Sequence, residues 1–243
     1  MHSVSHLAAL ERTIRERYDV VTEEVDVANR SFSILRVRDT NRLLDRIDPA
    51  VFARDERLPY WAELWSSSMA LASACLLEFD LRGMRVLELG CGLGLAGIAA
   101  ARAGATVTMT DYEEDALLFA EYNRLVNLPD PEGEAACESR LLDWRAPGRT
   151  GMYDVVLGAD IIYEERNHLP LLTILDRCLL PGGYACLTDP GRRTAPLFKT
   201  LALSRGFAVQ EHEGCVTHGG KSTSVKRYAV RHDGPKLPAG GCS

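Results

Sequence analysis

From Met84 onward the chain alternates short apolar runs with helix-patterned segments: MRVLEL (84–89), LAGIAAARAG (95–104), TVTMTD (106–111) and EEDALLFAEYNRLVN (113–127). A strand that reads as an unbroken apolar run is buried on both faces, and parallel neighbours need a crossover long enough to hold a helix. The pattern continues through ACESRLLDW (136–144), YDVVLGAD (153–160), HLPLLTILDRCLL (168–180), YACLTD (184–189), a helix near 194–204, FAVQEHE (207–213) and SVKRYAVRH (224–232). Seven strands are predicted. The expected fold class is α/β, a doubly wound, mostly parallel seven-stranded sheet with covering helices.

Ahead of this region, residues 4–17 read as a helix, and VVTEEVDVA (20–28) and SFSILRVRD (31–39) alternate around Asn29-Arg30 as a hairpin. Residues 1–58 are therefore expected to form an N-terminal helix and β-hairpin cap. After the Pro59-Tyr60-Trp61 break a helix is predicted from Ser66 to Phe79, with Ser66 to Ser68 offering capping oxygens. The core is expected over 59–233, and the Pro- and Gly-rich residues 234–243 as a flexible tail.

Composition narrows the function classes. With 243 residues, 46% of them apolar, one well-filled core is expected rather than two domains. A formal charge of −6 supplies no general basic field for a phosphate backbone, so nucleic acid is not expected as partner. No apolar run of membrane-spanning length and no signal-type segment is present, so no membrane association and a cytoplasmic location are expected. Seven cysteines without a C-x-x-C pair read as reduced thiols, and the scattered histidines predict no metal site.

The strongest local signal is VLELGCGLGLAG (86–97), where a strand runs directly into Gly90, Gly92 and Gly94. Glycines permit a tight strand-to-helix turn and close approach of a ligand to the backbone. Residues 92–97 also match the dinucleotide pattern G-x-G-x-x-G. That reading is weakened because the glycine closing the strand is Gly90, and counting five onward reaches Leu95. Glu88, an acid within an apolar strand, reads either as a carboxylate emerging into water or as part of a cofactor pocket. Asp111 ends the next strand at the sheet edge where open α/β folds bind ligands. It fits both a ribose-binding acid and the N-cap of the helix starting near Glu113. Asp143 and Asp160 also end successive strands.

At these residues the chain resembles the seven-β-strand S-adenosylmethionine-dependent methyltransferases, in VLELGCGLG and in Asp111. More narrowly, PYWAELWSSSMALA (59–72), LLDW (141–144) and GADIIY (158–163) resemble the family 16 protein-lysine methyltransferases, a group related to nicotinamide N-methyltransferase. The resemblance implies S-adenosyl-L-methionine as cofactor and S-adenosyl-L-homocysteine as product. It implies cofactor contacts from Trp65, Gly90, Gly92, Asp111, Asp143, Trp144 and Ala159, with Trp65 favoured over Trp61 and Glu88 assisting. It implies that Asp160 and Tyr163, a D-x-x-Y pair, serve the methyl transfer; read without it, they are a helix-capping acid and a pocket-wall ring. The implied activity is N-methylation of a protein lysine by direct in-line transfer. A small-molecule amine, a protein histidine, a non-catalytic cofactor-binding interaction protein and a nicotinamide dehydrogenase are the alternatives. Arg192, Arg193 and His168 read as solvated surface. The sequence leaves the oligomeric state and the number of methyl groups added open.

Overall fold

The computed structural model describes residues 2–45, 58–128 and 137–232. The expected tail lies outside the described residues. Helix α1 (His2–Arg17) leads into strands β1 (Val20–Val27) and β2 (Arg30–Val37), followed by a short helix α2 (Asn41–Leu44). A 3-10 turn (Tyr60–Ala62) precedes α3 (Ser66–Leu77), β3 (Arg85–Leu89), α4 (Leu95–Arg102), β4 (Thr106–Asp111), α5 (Glu114–Asn127) and β5 (Cys137–Leu141). Then come β6 (Tyr153–Ala159), α6 (Glu165–Cys178), β7 (Leu179–Asp189), α7 (Ala195–Ser204), β8 (Phe207–His218) and β9 (Lys221–His232).

Seven strands form one sheet in the order β5-β4-β3-β6-β7-β9-β8. Pairings from β5 through β7 are parallel, and the last two strands are antiparallel. The chain starts at β3, winds outward to β5 and returns to β6. That reversal opens a crevice at the carboxyl ends of β3, β4 and β6, where an open α/β sheet takes its ligands.

Period-two alternation divides the core. Val86, Val107, Met109, Val155 and Leu157 pack with residues of α3, α4, α5 and the N-terminal ribbon. Leu87, Leu89, Val156, Ala185 and Leu187 pack with α6 and α7. Glu88 falls between Leu87 and Leu89, so its side chain takes the α4 side of β3.

Several boundaries differ from the sequence reading. The hairpin turns at Ala28-Asn29, both in the left-handed region (φ 53° and 60°), one residue earlier than expected. Two such residues make the primed turn that matches strand twist. The serines of α3 lie inside its first turn rather than capping it, and Ser68 Oγ donates to the Trp65 carbonyl at 2.7 Å. Helix α6 begins at Glu165, three residues before the expected start. Strands β8 and β9 run past the sheet as a hairpin whose tip residue His218 places its Nε2 2.9 Å from Glu23 Oε1 of β1.

The ribbon is docked by two asparagines of α5. Asn123 Oδ1 accepts the Leu35 N–H at 2.8 Å while its Nδ2 donates to the Leu35 and Leu93 carbonyls at 3.2 and 3.0 Å. Asn127 makes the same paired contact with Ser33, at 3.0 and 2.8 Å. Four residues apart on one helix face, the two amides act as a partner strand for β2.

Candidate active site

The crevice is a cleft of about 950 Å³ counted to its open mouth. Its floor is the turn between β3 and α4. Gly90 has φ 64°, and a Cβ there would lie 2.9 Å from Ile161 and 3.3 Å from the Trp144 ring, so both conformation and space demand glycine. Asp111 closes the side: Oδ2 accepts the Gly92 N–H and Oδ1 the Glu113 N–H, each at 3.0 Å. It therefore braces the glycine turn, and the helix itself starts beyond Glu113. Burial pushes the Asp111 carboxyl up to about 6, against the opposing pull of those backbone N–H groups.

Glu88 is not among the residues lining the cleft. It lies buried beneath the turn, where Oε2 accepts the Gly97 N–H at 2.9 Å. Burial pushes its carboxyl up to about 8, with the Gly97 N–H opposing and the Asp111 charge adding. The reading of an acid emerging into water gives way to this buried one, in which Glu88 holds the helix that follows the glycine turn rather than lining the cleft. The third glycine of the dinucleotide-like pattern is thereby explained, since a Cβ at Gly97 would sit 2.4 Å from Glu88 Oε2 and 2.6 Å from Met109 Cγ.

The opposite wall comes from the segment before α3 and the loop after β6. Trp65 Nε1 donates to the Tyr60 carbonyl at 2.8 Å, and the Tyr60 ring meets the Tyr163 ring edge-on at 5.5 Å. Trp61 also lines the cleft, but its ring packs against Tyr18 and Phe119, away from this corner. Burial pushes the Tyr163 hydroxyl well above its ordinary range, so it stays protonated through neutral pH.

Asp160 sits at φ 54°, a left-handed backbone that Asp tolerates better than most residues at a cost of about 1 kcal/mol. The turn is fixed by its N–H donating to the Thr188 carbonyl at 2.8 Å. Its side chain, 5% exposed, takes a two-point contact from Arg192 Nε and Nη2 at 3.1 and 2.7 Å.

Trp65, Gly90, Gly92, Asp111, Trp144, Ala159, Asp160 and Tyr163 thus all line one cleft. Asp143 does not: it is gripped by Arg145 at 2.9 and 2.8 Å and faces a smaller adjoining cavity with Trp144. One expectation of solvated surface also fails, and a second is refined. His168 is buried with its Nε2 at 2.9 Å from the Ile162 carbonyl, whereas Arg192 is exposed but lies at the cleft mouth. Arg193 is exposed. Among the described residues lining the cleft, none comes from the β1–β2 ribbon.

Residues 60–194 match the model of the family described as lysine methyltransferase. The chain belongs to the lysine methyltransferase family. It is 40% identical over 162 residues to the zebrafish (Danio rerio) "Protein N-lysine methyltransferase METTL21A", covering 64% of this chain and 72% of the relative. It is 38% identical over 181 residues to the mouse (Mus musculus) "EEF1A lysine methyltransferase 3", covering 72% and 74%. Among solved structures it shares its fold with a magnesium protoporphyrin IX methyltransferase from Synechocystis with bound S-adenosylmethionine, at TM-score 0.54 and 19% identity over 79% of this chain and 97% of that one. This methyltransferase uses S-adenosylmethionine, and its cleft fits that group. The glycine floor leaves no room for a side chain at Gly90, Asp111 offers a braced carboxylate, and aromatic rings wall both sides.

Proposed function

We propose that the protein transfers a methyl group from S-adenosylmethionine to the ε-amine of a lysine on a protein, with the acceptor entering beside Tyr60, Tyr163 and Asp160. The observation that carries this reading is Asp160: a nearly buried carboxylate in the cleft wall, next to the aromatic rings of Tyr163, Tyr60 and Trp65. A carboxylate among aromatic faces is a site for a cationic or amine group on a slender aliphatic stem. The glycine turn, Asp111 and Trp144 would hold the cofactor. When bound, S-adenosylmethionine would supply a methyl group on a sulfonium, which an in-line amine lone pair could take as the S–C bond breaks onto sulfur, with the product ammonium's proton passing to water. The chain's own contribution is to align the amine and exclude competing water, worth several kcal/mol of the barrier. No side-chain nucleophile is needed.

The names of both relatives specify protein lysines, which supports a protein acceptor over a free metabolite. Among the described residues, four carboxylates and one arginine line the cleft, a balance that favours cationic ligands and disfavours a nucleic-acid backbone. We place this activity in the cytoplasm, on the sequence reading alone. The test is incubation of the purified protein with tritiated S-adenosylmethionine and gel-filtered source-cell lysate, with recombinant EEF1A in parallel, followed by acid hydrolysis. Label in methyl-lysine from the protein fraction supports the reading. Label confined to methyl-histidine or to the small-molecule fraction overturns it.

A further inference from the structure

Among the described residues lining the cleft, the charged ones are the carboxylates Glu63, Asp111, Glu113 and Asp160 and a single cation, Arg192. Arg192 is anchored three ways. Its guanidinium forks onto Asp160 as described, and lies with its carbon 5.5 Å from the centre of the Trp65 ring. Its backbone N–H donates to Asp189 Oδ1 at 2.7 Å. The side chain is nevertheless 40% exposed, so the fork sits at the mouth rather than in the core. Among the described residues, the other charged or titratable groups near this corner are Tyr163, Glu164 and Arg166 after β6, Tyr60 and Glu63 ahead of α3, Tyr112 after β4, the Asp143–Arg145 pair, and Asp189. Glu63 is tied to the Thr40 hydroxyl, and Glu164 to Arg166 and Asn167. Asp189 is fully buried and turned onto the backbone of the Gly191–Arg192 loop. The Asp160–Arg192 pair therefore sets the field that an entering amine meets.

We propose that Arg192 is a positioning residue that sets the charge state of the acceptor, offsetting the Asp160 charge so that the lysine is presented as a neutral amine. The inference rests on the lysine reading above. A carboxylate offers about four lone-pair sites and the guanidinium fork uses two, so Asp160 can still accept an amine N–H and direct the nitrogen. A bare carboxylate would do the opposite of what transfer needs. It would stabilise the ammonium, whose nitrogen has no lone pair to attack with. The neighbouring guanidinium cancels that attraction, and the displaced proton leaves to water through the open mouth. The guanidinium carries the same sign as an ammonium and disfavours it, and the 40% exposure of Arg192 keeps the effect on the amine to about one pH unit.

The experiment measures methyl-lysine formation in gel-filtered source-cell lysate from pH 6 to pH 10 for wild type, Arg192→Gln, Arg192→Lys and Asp160→Asn. S-adenosylhomocysteine binding verifies that each variant is folded. Arg192→Gln is expected to move the acid limb of the profile up by about one unit, so that activity falls roughly tenfold at pH 7 and recovers at high pH. Arg192→Lys keeps the charge and should hold the limb near its wild-type position. Asp160→Asn leaves Arg192 unopposed and should move the limb down, an independent check should the glutamine variant not fold. A limb that stays in place in Arg192→Gln, with activity equal to wild type or reduced by one factor at every pH, overturns the inference while leaving the lysine reading intact. Absence of methyl-lysine with wild type overturns the lysine reading and this inference with it.

Discussion

Glu88 and Gly97 are interlocked: the buried carboxylate accepts the Gly97 N–H at 2.9 Å, and the position a Cβ would take at residue 97 lies 2.4 Å from that same oxygen. A strand acid is thus sealed by the first helix after it. The helix can approach only because one residue has no side chain.

Gly97→Ala should therefore destabilise the protein although alanine is the better helix former. The Cβ would also meet Met109 Cγ at 2.6 Å, and relief requires moving α4 or β4. Overpacking of this kind costs about 1–3 kcal/mol, measurable as a lower urea midpoint with an unchanged slope. A midpoint equal to wild type would show that the helix shifts freely.

Glu88 also tilts stability with pH. Its folded value of about 8 lies above the ordinary 4.5, so the folded state holds a proton that the unfolded chain releases earlier. Stability from this group is full below about 4.5 and declines as pH rises to about 8. Asp111 adds a tilt of the same sign between 3.8 and about 6. Glu88→Gln should flatten the melting-temperature profile between pH 6 and 8, leaving the lower-pH part due to Asp111. An unaltered slope in that window would place the tilt elsewhere.

Asp111 itself is expected to govern cofactor affinity. Protonation removes an acceptor from the cleft, so S-adenosylhomocysteine should bind more weakly as pH falls through about 6. In Asp111→Asn the affinity should be about tenfold or more lower at pH 7.5, the loss of one charge-assisted hydrogen bond, and insensitive to pH in this range. Calorimetric titration at four pH values decides it, and equal affinities would remove Asp111 from binding.

Asn123 joins the ribbon to the glycine turn, and its loss should be felt at both. Asn123→Ala leaves three buried backbone groups without partners, a cost of about 2–4 kcal/mol. Because one of them is the Leu93 carbonyl, S-adenosylhomocysteine affinity should fall as well. Asn127→Ala, whose amide contacts the ribbon and Arg102 but not the turn, should lower stability while sparing affinity. Equal effects on affinity from both variants would deny the link.

What could be read from the sequence was what depends on local pattern. The apolar runs of β3, β4 and β6 are buried on both faces and announce themselves, as does the strand-to-glycine turn with Asp111 at the next strand's end. Features that depend on a neighbour distant in sequence were not legible. Arg192 looks like any charged loop residue until β6 and β7 lie side by side and the left-handed turn at Asp160 aims the carboxylate at it. Asp143 ends its segment much as Asp160 does, but the arginine two residues on captures it. The far halves of β8 and β9 carry alternating polar residues because they leave the sheet, so no burial pattern marks their length.

The asparagine clamp also orders events in time. Leu35 meets its partner 88 residues later in the chain, and Leu93 meets the same side chain 30 residues later. A two-stranded ribbon alone is marginal in water, so the hairpin, made before α5, has an unmatched β2 edge until α5 follows. A ribbon made well before α5 consequently settles only after it. Nascent chains cut short before Asn123 should leave the hairpin open to proteases, and those that include α5 should close it and the glycine turn in one step.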